Sequence, residues 1–327
     1  MRAIVMRAAG GPEVLRLETV RDPDPGPGEA LVEVTAAGVN FIDVYQRSGR
    51  YATPLPHTPG MEGAGVVRRV GAGVTGVRAG DRVAWVNVPG AYAELAVIPA
   101  DRLVPVPPGV PARTAAAVLL QGMTAHYLLH DTYRVRPGDT VLVHAAAGGM
   151  GLLLVRWATL LGARVIGTVS TQRKEEIARS AGAAEIIRYD RCEVAARVRD
   201  LTRGRGVAAV YDGVGAPTFE ASLAALRPRG VLALFGQSGG PVPPVDPQRL
   251  NAAGSVFLTR PNLEHHIAHR SELLARAAAV FDRVVAGDLE VRVTSVRPLA
   301  EAAQAHADLE ERRSTGKLLL TTEEGRY

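Results

Sequence analysis

The sequence predicts an α/β protein in which a doubly wound parallel sheet of six strands is joined to a second, β-rich, barrel-like domain. From residue 140 onward, strand-like apolar runs alternate with helical stretches, which is the pattern of βαβ units. The first 110 residues instead hold short strand-like runs between Gly, Pro and Asp clusters such as RDPDPGPGE and PLPHTPG. The length of 327 residues fits about two domains.

The β-rich region comes first along the chain. Its strand-like runs are 30–39, 63–71, 81–88 and 91–98. We interpret GVNFIDVYQRSGRY (38–51) as a loop-like stretch after a strand. The pattern changes near Pro111, where PARTAAAVLLQGMTAHYLLH has helical composition with a proline near its start.

The alternating region contains enough strands for a complete dinucleotide-binding sheet. Strands are predicted at 140–144, 164–169, 185–188, 207–212, 230–235 and 255–259. Helices are predicted between the first five of them, at 149–161, 172–181, 191–202 and 216–226.

The C-terminal segment resembles the first region more than the second. A long helix is predicted at 264–286 and a short one at 299–311, with strands in DLEVRVTSVRPL and GKLLLTT. We therefore expect the chain to return to its N-terminal domain. The predicted domains are residues 1–115 together with 287–327, and residues 116–286.

Composition excludes several classes of protein. The lone Cys192 cannot form a disulfide framework or a thiolate zinc site. No signal-peptide core and no apolar stretch of membrane-spanning length is present, so a cytoplasmic location is expected. The net charge of +5 comes from dispersed arginines without interleaved aromatics, which does not favour nucleic-acid binding.

The stretch HAAAGGMG (144–151) lies between the first alternating strand and its helix. Small residues there allow a tight turn and let backbone amides approach a pyrophosphate at the positive helix N-terminus. Ala145, Gly148 and Gly151 take the places of the usual G-x-G-x-x-G glycines. The alternative is an ordinary glycine-rich βα loop, but the position at the head of six strands favours nucleotide binding.

The end of the second strand indicates which dinucleotide binds. An NAD site needs a carboxylate there to accept hydrogen bonds from the ribose hydroxyls. This chain reads ARVIGTVSTQRKEE, in which hydroxyl side chains and the cations Arg173 and Lys174 precede any carboxylate. That pattern favours a 2′-phosphate and hence NADP, although the two cations could instead begin a solvated helix.

Neither a metal site nor a Ser-His-Asp nucleophile is predicted. The chain has no His–Glu or cysteine cluster and no G-x-S-x-G elbow. His265, His266 and His269 lie at helical spacing and are interpreted as a solvated helix face.

Several motifs together resemble a known family. They are AAGGPEVL, GVNFIDVYQRSGRY, LLQGMTAHYLL, GDTVLVHAAAGGMG, VYDGVG, LFGQSGG, TRP and RRSTGKLLL. The chain resembles, essentially end to end, the NADPH:quinone oxidoreductases (zeta-crystallin-like) among the zinc-free medium-chain dehydrogenase/reductases. Met61–Glu62 stands where zinc-dependent relatives carry a His–Glu pair, which agrees with zinc-free chemistry.

The resemblance implies a GroES-like catalytic domain, an inserted Rossmann domain that binds NADPH, and a homodimer joined partly near 255–259. Asn40, Tyr45 and Tyr51 would line the cleft beside the nicotinamide, although the tyrosines could also be half-buried packing residues. The implied cofactor-binding residues are Thr124, Ala147, Gly148, Gly149, Met150, Gly151, Thr168, Ser170, Lys174, Tyr189, Phe235, Gly236, Ser238 and Arg312. Arg313 could replace Arg312.

The expected function is NADPH-dependent transfer of hydride or electrons to quinones in an interdomain cleft, without zinc. Tyr45, Tyr51 or water could supply the proton. One alternative is reduction of an enoyl-thioester or alkenal double bond on the same fold. Another is an NADPH-holding chain that binds RNA or has a structural role, which would need a clustered basic face.

Overall fold

The computed structural model describes residues 1–312 and 314–322, which form two compact units. The first unit contains Met1–Met123 and the described residues from Ile267 onward, and the second contains Thr124–His266. Each has its own sheet and core. Among the described residues, no helix combines the length and apolarity needed to cross a bilayer.

The first unit is β-rich. Its strands are β1 (Arg2–Val5), β2 (Arg16–Thr19), β3 (Glu29–Val39), β4 (Glu62–Val70), β5 (Arg82–Val86), β6 (Leu95–Pro99), β7 (Val104–Pro105), β14 (Val293–Pro298) and β15 (Lys317–Thr321). β1 and β2 pair with each other, and the other seven form one sheet in the order β14-β15-β3-β4-β5-β7, with β6 also pairing β3. β15 runs antiparallel to β3, so the C-terminal segment adds a strand to the sheet of the N-terminal region.

Helices α1 (Phe41–Arg47), α8 (Arg270–Val285) and α9 (Ala302–Glu310) belong to the first unit, and α2 (Ala112–Tyr127) begins in it. The loop interpretation of 38–51 is wrong over α1. Asp43, three residues into the helix, accepts the backbone N–H of Asn40, which stabilises the helix start.

The single long helix predicted at 264–286 is also wrong at its start. Leu263–His266 forms a 3-10 turn, and α8 begins only after His269, whose backbone N–H is bound by the Glu272 carboxylate. The three histidines therefore do not share one helix face. Moreover α8 packs against β7 in the first unit, although the predicted boundaries place it in the other domain.

The second unit alternates strands and helices. Its strands are β8 (Thr140–Val143), β9 (Arg164–Val169), β10 (Glu185–Arg188), β11 (Val207–Asp212), β12 (Leu226–Leu234) and β13 (Phe257–Thr259). Its helices are α3 (Gly149–Leu160), α4 (Gln172–Ser180), α5 (Val194–Leu201), α6 (Phe219–Ala225) and α7 (Pro247–Ala252).

These six strands form one parallel sheet in the order β10-β9-β8-β11-β12-β13, which confirms the predicted fold class. All six residues of β11, VAAVYD, are buried. Strands covered on both faces read as continuous apolar runs for this reason. The carboxyl ends of β8 and β9 lie side by side, and predicted nucleotide residues follow both of them, Ala147–Gly151 after β8 and Ser170 and Lys174 after β9.

Candidate functional site: a nucleotide cradle and a buried polar network

The glycine-rich turn joins β8 to α3. Gly148 is the N-cap of α3, and no side chain caps it among the described residues. The amides of Gly149, Met150 and Gly151 form the first helical turn, where backbone N–H groups have no intrahelical acceptor. These donors and the positive end of the helix dipole suit an anion such as a pyrophosphate.

The small residues in this turn have different roles. A Cβ on Gly151 would lie 2.2 Å from the backbone oxygen of Ala145, so Gly151 is required by the approach of α3 to the turn. A Cβ on Gly148 would lie 3.3 Å from that same oxygen, a tight but tolerable distance. Ala145 itself has φ 51°, and Ala147, also in the turn, is buried. The backbone is therefore held in a left-handed conformation where glycine is usual.

The predicted 2′-phosphate residues follow β9 and β10. Ser170 and Lys174 are half-buried, and Tyr189 is 46% exposed beside the Arg188–Asp190 ion pair. Thr171 caps α4 by accepting the backbone N–H of Lys174, so the lysine lies in the first turn of a helix. Cations oppose the helix dipole there unless an anion is nearby.

Thr168 behaves differently from its neighbours. It is buried, and its hydroxyl lies 3.0 Å from Nδ1 of His144. Its side chain therefore faces the interior of the second unit.

The segment after β12 is tied to the segment after β11. The Phe235 N–H donates to the Asp212 carbonyl, and the Ser238 N–H donates to the Gly213 carbonyl. A Cβ on Gly236 would lie 2.6 Å from the Gly213 oxygen. The structure thus holds Phe235, Gly236 and Ser238 in one close-packed corner of the sheet.

Two predicted cofactor residues lie elsewhere in the chain. Thr124 is a buried residue of α2. Arg312 belongs to the first unit, in a turn after α9 with φ 57°. Arg313 lies outside the described residues.

The three predicted catalytic residues lie on or beside α1. The rings of Tyr45 and Tyr51 pack edge to face with centroids 5.3 Å apart, and the Arg50 guanidinium lies 5.2 Å from the centre of the Tyr45 ring. Asn40 precedes the helix and is buried. The structure therefore brings the two tyrosines together.

The Asn40 amide is saturated by protein groups. Its Nδ2 donates to Gly38 O at 3.3 Å and to Glu62 Oε2 at 2.9 Å. Its Oδ1 accepts from Lys317 Nζ at 2.6 Å and from Gln121 Nε2 at 3.4 Å. A carboxamide offers two donors and two acceptor positions, and all four are used here.

Glu62 and Lys317 form the centre of this network. The Lys317 ammonium lies 2.6 Å from Glu62 Oε2, and both side chains are within 1% of complete burial. The backbone N–H of Leu120 donates to Glu62 Oε1. Because burial of either charge alone is costly, each requires the other.

A second group of buried polar residues begins at Asp43. Its carboxylate accepts the N–H groups of Asn40 and Met61 and the Tyr92 hydroxyl, which also lies 3.1 Å from Nε2 of His306. Burial raises the pKa of Asp43 to about 6, despite these hydrogen bonds and the charge of Lys317.

Beyond His306 the same group ends in an ion pair. Arg47 donates to the Glu310 carboxylate through both terminal guanidinium nitrogens, Nη1 and Nη2, at 2.8 and 2.9 Å. Burial and, secondarily, the Arg47 charge lower the pKa of His306 to about 3. This imidazole is therefore neutral at ordinary pH.

Sequence reasoning missed Glu62 and Lys317 as a pair, yet one signal was present. The chain uses arginine almost everywhere and contains only two lysines, Lys174 and Lys317. A compact ammonium fits a site that a guanidinium fork would overfill. Among the described residues, no group of three or more His, Cys, Asp or Glu side chains is arranged to hold a metal ion.

Two family profiles match the chain. The alcohol dehydrogenase GroES-like domain covers residues 26–108, and the zinc-binding dehydrogenase family covers residues 149–271.

Individual relatives match over nearly their whole length. A quinone oxidoreductase of Pseudomonas aeruginosa is 46% identical over 98% of this chain and 99% of its own. A 2-haloacrylate reductase of a Burkholderia species is 44% identical over 97% of this chain and 98% of its own. A mycobacterial protein solved with NADPH is 52% identical, with a TM-score of 0.95 over 98% of this chain and all of its own. The chain therefore belongs to the quinone oxidoreductases of the medium-chain dehydrogenase/reductase family.

Proposed function

We propose that this chain is an NADPH-dependent quinone oxidoreductase. The observation that carries the proposal is the uncapped N-terminus of α3 behind a left-handed, glycine-rich turn at the head of the parallel sheet. Similarity to a quinone oxidoreductase and to a protein solved with NADPH supports the substrate and the cofactor.

The residues present fit an NADPH molecule. The first-turn amides of α3 would hold the pyrophosphate, and Lys174 with Tyr189 would hold the 2′-phosphate. Phe235, Gly236 and Ser238 would contact the nicotinamide ribose. When bound, NADPH supplies a hydride, which together with one proton converts a quinone to a hydroquinone.

Within the first unit, Tyr45 and Tyr51 are the residues we assign to substrate positioning. Their edge-to-face packing holds both rings in fixed orientations. Asn40 has no free hydrogen-bonding position, so we assign it a positioning role through the start of α1. Tyr45, Tyr51 and water remain the candidate proton donors, and the interdomain cleft remains a prediction.

We further propose that the reaction proceeds without zinc. The Glu62 carboxylate is bound by Lys317, Asn40 and the Leu120 amide, so all of its strong interactions are made within the protein. Met61, which precedes it, offers only a thioether.

The second candidate is reduction of a conjugated carbon–carbon double bond. The 2-haloacrylate reductase at 44% identity favours it. The same cofactor and fold would serve, because hydride addition to an activated alkene and to a quinone both need an electron-poor acceptor held beside the nicotinamide.

We also propose a homodimer formed through β13. This strand is at the edge of the six-stranded sheet, and its Phe257 side chain is 61% exposed. An open edge with an exposed aromatic residue is suited to strand pairing with a second copy. Sedimentation velocity would give a dimer mass, and a monomer at micromolar concentration would refute the proposal.

The function is tested by steady-state oxidation of NADPH and NADH by chelator-treated protein. The acceptors are 1,4-benzoquinone, 9,10-phenanthrenequinone, 2-chloroacrylate, an enoyl thioester and a 2-alkenal. NADPH-selective turnover of the quinones is expected. Turnover of the alkenes alone would move the function to the second candidate, and NADPH binding without turnover would favour a binding protein.

A further inference from the structure

Four buried polar side chains form a continuous chain beneath the glycine-rich turn. Thr168 Oγ1 lies 3.0 Å from His144 Nδ1, and His144 Nε2 lies 2.9 Å from Ser222 Oγ. Ser222 Oγ lies 2.7 Å from Asp212 Oδ2. All four residues are at most 3% exposed. We call this group, Thr168–His144–Ser222–Asp212, the inner chain.

The direction of each hydrogen bond follows from the number of protons available. The Asp212 carboxylate is surrounded by donors, since it accepts the N–H groups of Val214 and Gly215 and the Thr218 hydroxyl. Ser222 therefore donates its only proton to Asp212. His144 must then donate from Nε2 to Ser222, and its bare Nδ1 accepts the Thr168 proton. Burial lowers the pKa of His144, which agrees with a neutral ring.

This arrangement is not a hydrolytic triad, although it contains a serine, a histidine and an aspartate. In a triad the histidine lies between the other two and accepts the serine proton. Here the serine lies between the histidine and the aspartate and donates to the aspartate. Ser222 is also fully buried, so no substrate can reach it.

The inner chain instead joins three segments that surround the nucleotide cradle. Thr168 is in β9 near its carboxyl end, and His144 directly precedes the glycine-rich turn. Asp212 ends β11 and fixes the turn at 213–215, on which the Phe235 segment packs. A backbone hydrogen bond also joins two of these segments, because the Ala146 N–H in the glycine-rich turn donates to the Thr168 carbonyl in β9.

We propose that His144, Ser222 and Asp212 are positioning residues for NADPH. They fix the end of β9, on the 2′-phosphate side, and the turn after β11, on the nicotinamide side, at the relative positions that the dinucleotide requires. The proposal rests on the proposed function, because it assumes that NADPH occupies this cradle. Its physical basis is that ligand groups bind tightly only when their partners are already in place.

The test compares Ser222→Ala with Thr202→Val. Thr202 is a buried hydroxyl residue of the same unit that bonds Val198 O and Gly206 N, before the amino end of β11 and outside the inner chain. NADPH affinity is measured at 25 °C by nucleotide fluorescence, together with the Tm of each variant. We expect Ser222→Ala to raise the Kd about ten-fold and Thr202→Val to lower Tm with Kd unchanged.

The outcomes separate the two proposals. If the wild-type protein does not bind NADPH, the proposed function fails. If it binds NADPH and Ser222→Ala binds equally well, the positioning role is refuted. Should Ser222→Ala fail to fold, Thr168→Val removes the outer donor with little change in volume, and we expect its Kd to rise about three-fold. An unchanged Kd would likewise refute the role.

The tautomer of His144 is an independent test of the hydrogen-bond directions assigned to the inner chain. In a 15N spectrum of histidine-labelled wild-type protein, we expect the proton of His144 on Nε2 and none on Nδ1. A proton on Nδ1 would reverse the direction of the inner chain and overturn the proposal.

Discussion

Each unit contains a buried polar network, and the two differ in charge. The first unit contains the fully buried Lys317–Glu62 ion pair beside Asn40, and the Arg47–Glu310 pair beside His306, in which Arg47 is buried and the Glu310 side chain is 35% exposed. The inner chain of the second unit has one carboxylate, satisfied by hydroxyl and amide donors. Buried charges lose hydration and must be paired with an opposite charge or, like the Asp212 carboxylate, be satisfied by several donors, whereas neutral hydroxyl and imidazole groups lose less.

Because of this difference, substitutions in the first unit should mainly affect the stability of the protein, and substitutions in the inner chain should mainly affect nucleotide binding. Loss of one charge in the first unit should leave its partner buried and unpaired, and so should mainly destabilise the protein. Loss of one hydroxyl in the second unit should leave the fold intact and loosen the cradle. The following changes test that separation, from the largest expected effect to the smallest.

Lys317→Met should be the most destabilising of these substitutions. It leaves the Glu62 carboxylate buried without its cation, and we expect the free energy of unfolding to fall by about 3–5 kcal/mol in urea titrations. The double variant Lys317→Met/Glu62→Gln should recover at least half of that loss, because neither of these two positions then carries a buried charge. A loss below about 1 kcal/mol for Lys317→Met would show that the ion pair contributes little.

Acidification should reveal opposite contributions from His306 and Asp43. Below its ordinary pKa of 6.5, His306 is protonated in the unfolded chain but not in the folded one, so stability falls as the pH drops towards 3. Asp43 acts oppositely. The Asp43 carboxyl keeps its proton up to about pH 6 in the folded protein but only up to about pH 3.8 in the unfolded chain. Its contribution to the free energy of unfolding therefore rises as the pH falls from about 6 to 3.8.

His306→Gln should therefore remove the acid-sensitive contribution and leave that of Asp43. Between pH 6 and 4, we expect its slope of unfolding free energy against pH to differ from wild type by up to about 1.4 kcal/mol per pH unit. The exposed His265→Gln is the control and should follow the wild-type profile. If unfolding free energy varied with pH in the same way for wild type, His306→Gln and His265→Gln, a neutral buried His306 would be ruled out.

The second lysine provides the contrast to Lys317. Lys174→Ala should change the free energy of unfolding by less than about 0.5 kcal/mol, because the residue is a half-buried helix position. It should raise the ratio of the KM for NADPH to the KM for NADH by roughly 10- to 100-fold, as expected for loss of a charge-assisted phosphate contact. Arg179→Ala, near the other end of α4 in an ion pair with Glu175, is the matched control and should leave this ratio unchanged. An unchanged ratio in Lys174→Ala would remove its assignment to the 2′-phosphate.

Two substitutions in the glycine-rich turn test the different roles assigned to its small residues, and the second should have the smallest effect of all. Gly151→Ala places a Cβ 2.2 Å from the Ala145 oxygen, and we expect a loss of about 1–3 kcal/mol in thermal unfolding. Ala145→Gly relieves a left-handed φ of 51° but loosens the unfolded chain, so we expect a change within about 0.5 kcal/mol. Equal losses at both positions would contradict the separate roles assigned to them.

Local patterns predicted most of the second unit. Strands β9, β10 and β11 occupy the ranges expected from their apolar runs, and α3 begins at the predicted residue, because parallel strands and their helices carry strong periodic signals. The weaker predictions concerned short elements. α1 has seven residues between a strand and Gly49, and Asn40 and Asp43 were its one clear start signal.

Contacts between distant residues could not be predicted in this way. Lys317 and Glu62 are 255 positions apart, and His144 and Ser222 are 78 apart. Neither pair has a local spacing rule, because the folded sheet brings the partners together. His144 also looked like an ordinary residue before a glycine-rich turn, and only its neighbours reveal its protonation state.

The sequence by itself determined the fold class, the glycine-rich turn after β8 and the family, since these depend on periodicity and on small residues at fixed spacing. Tertiary structure alone decided which polar groups are satisfied. It engaged all four hydrogen-bonding positions of Asn40, turned the Thr168 hydroxyl towards His144 and paired the two buried charges of Lys317 and Glu62. The physical reason is that hydrogen bonding and desolvation depend on three-dimensional neighbours, which local sequence patterns do not specify.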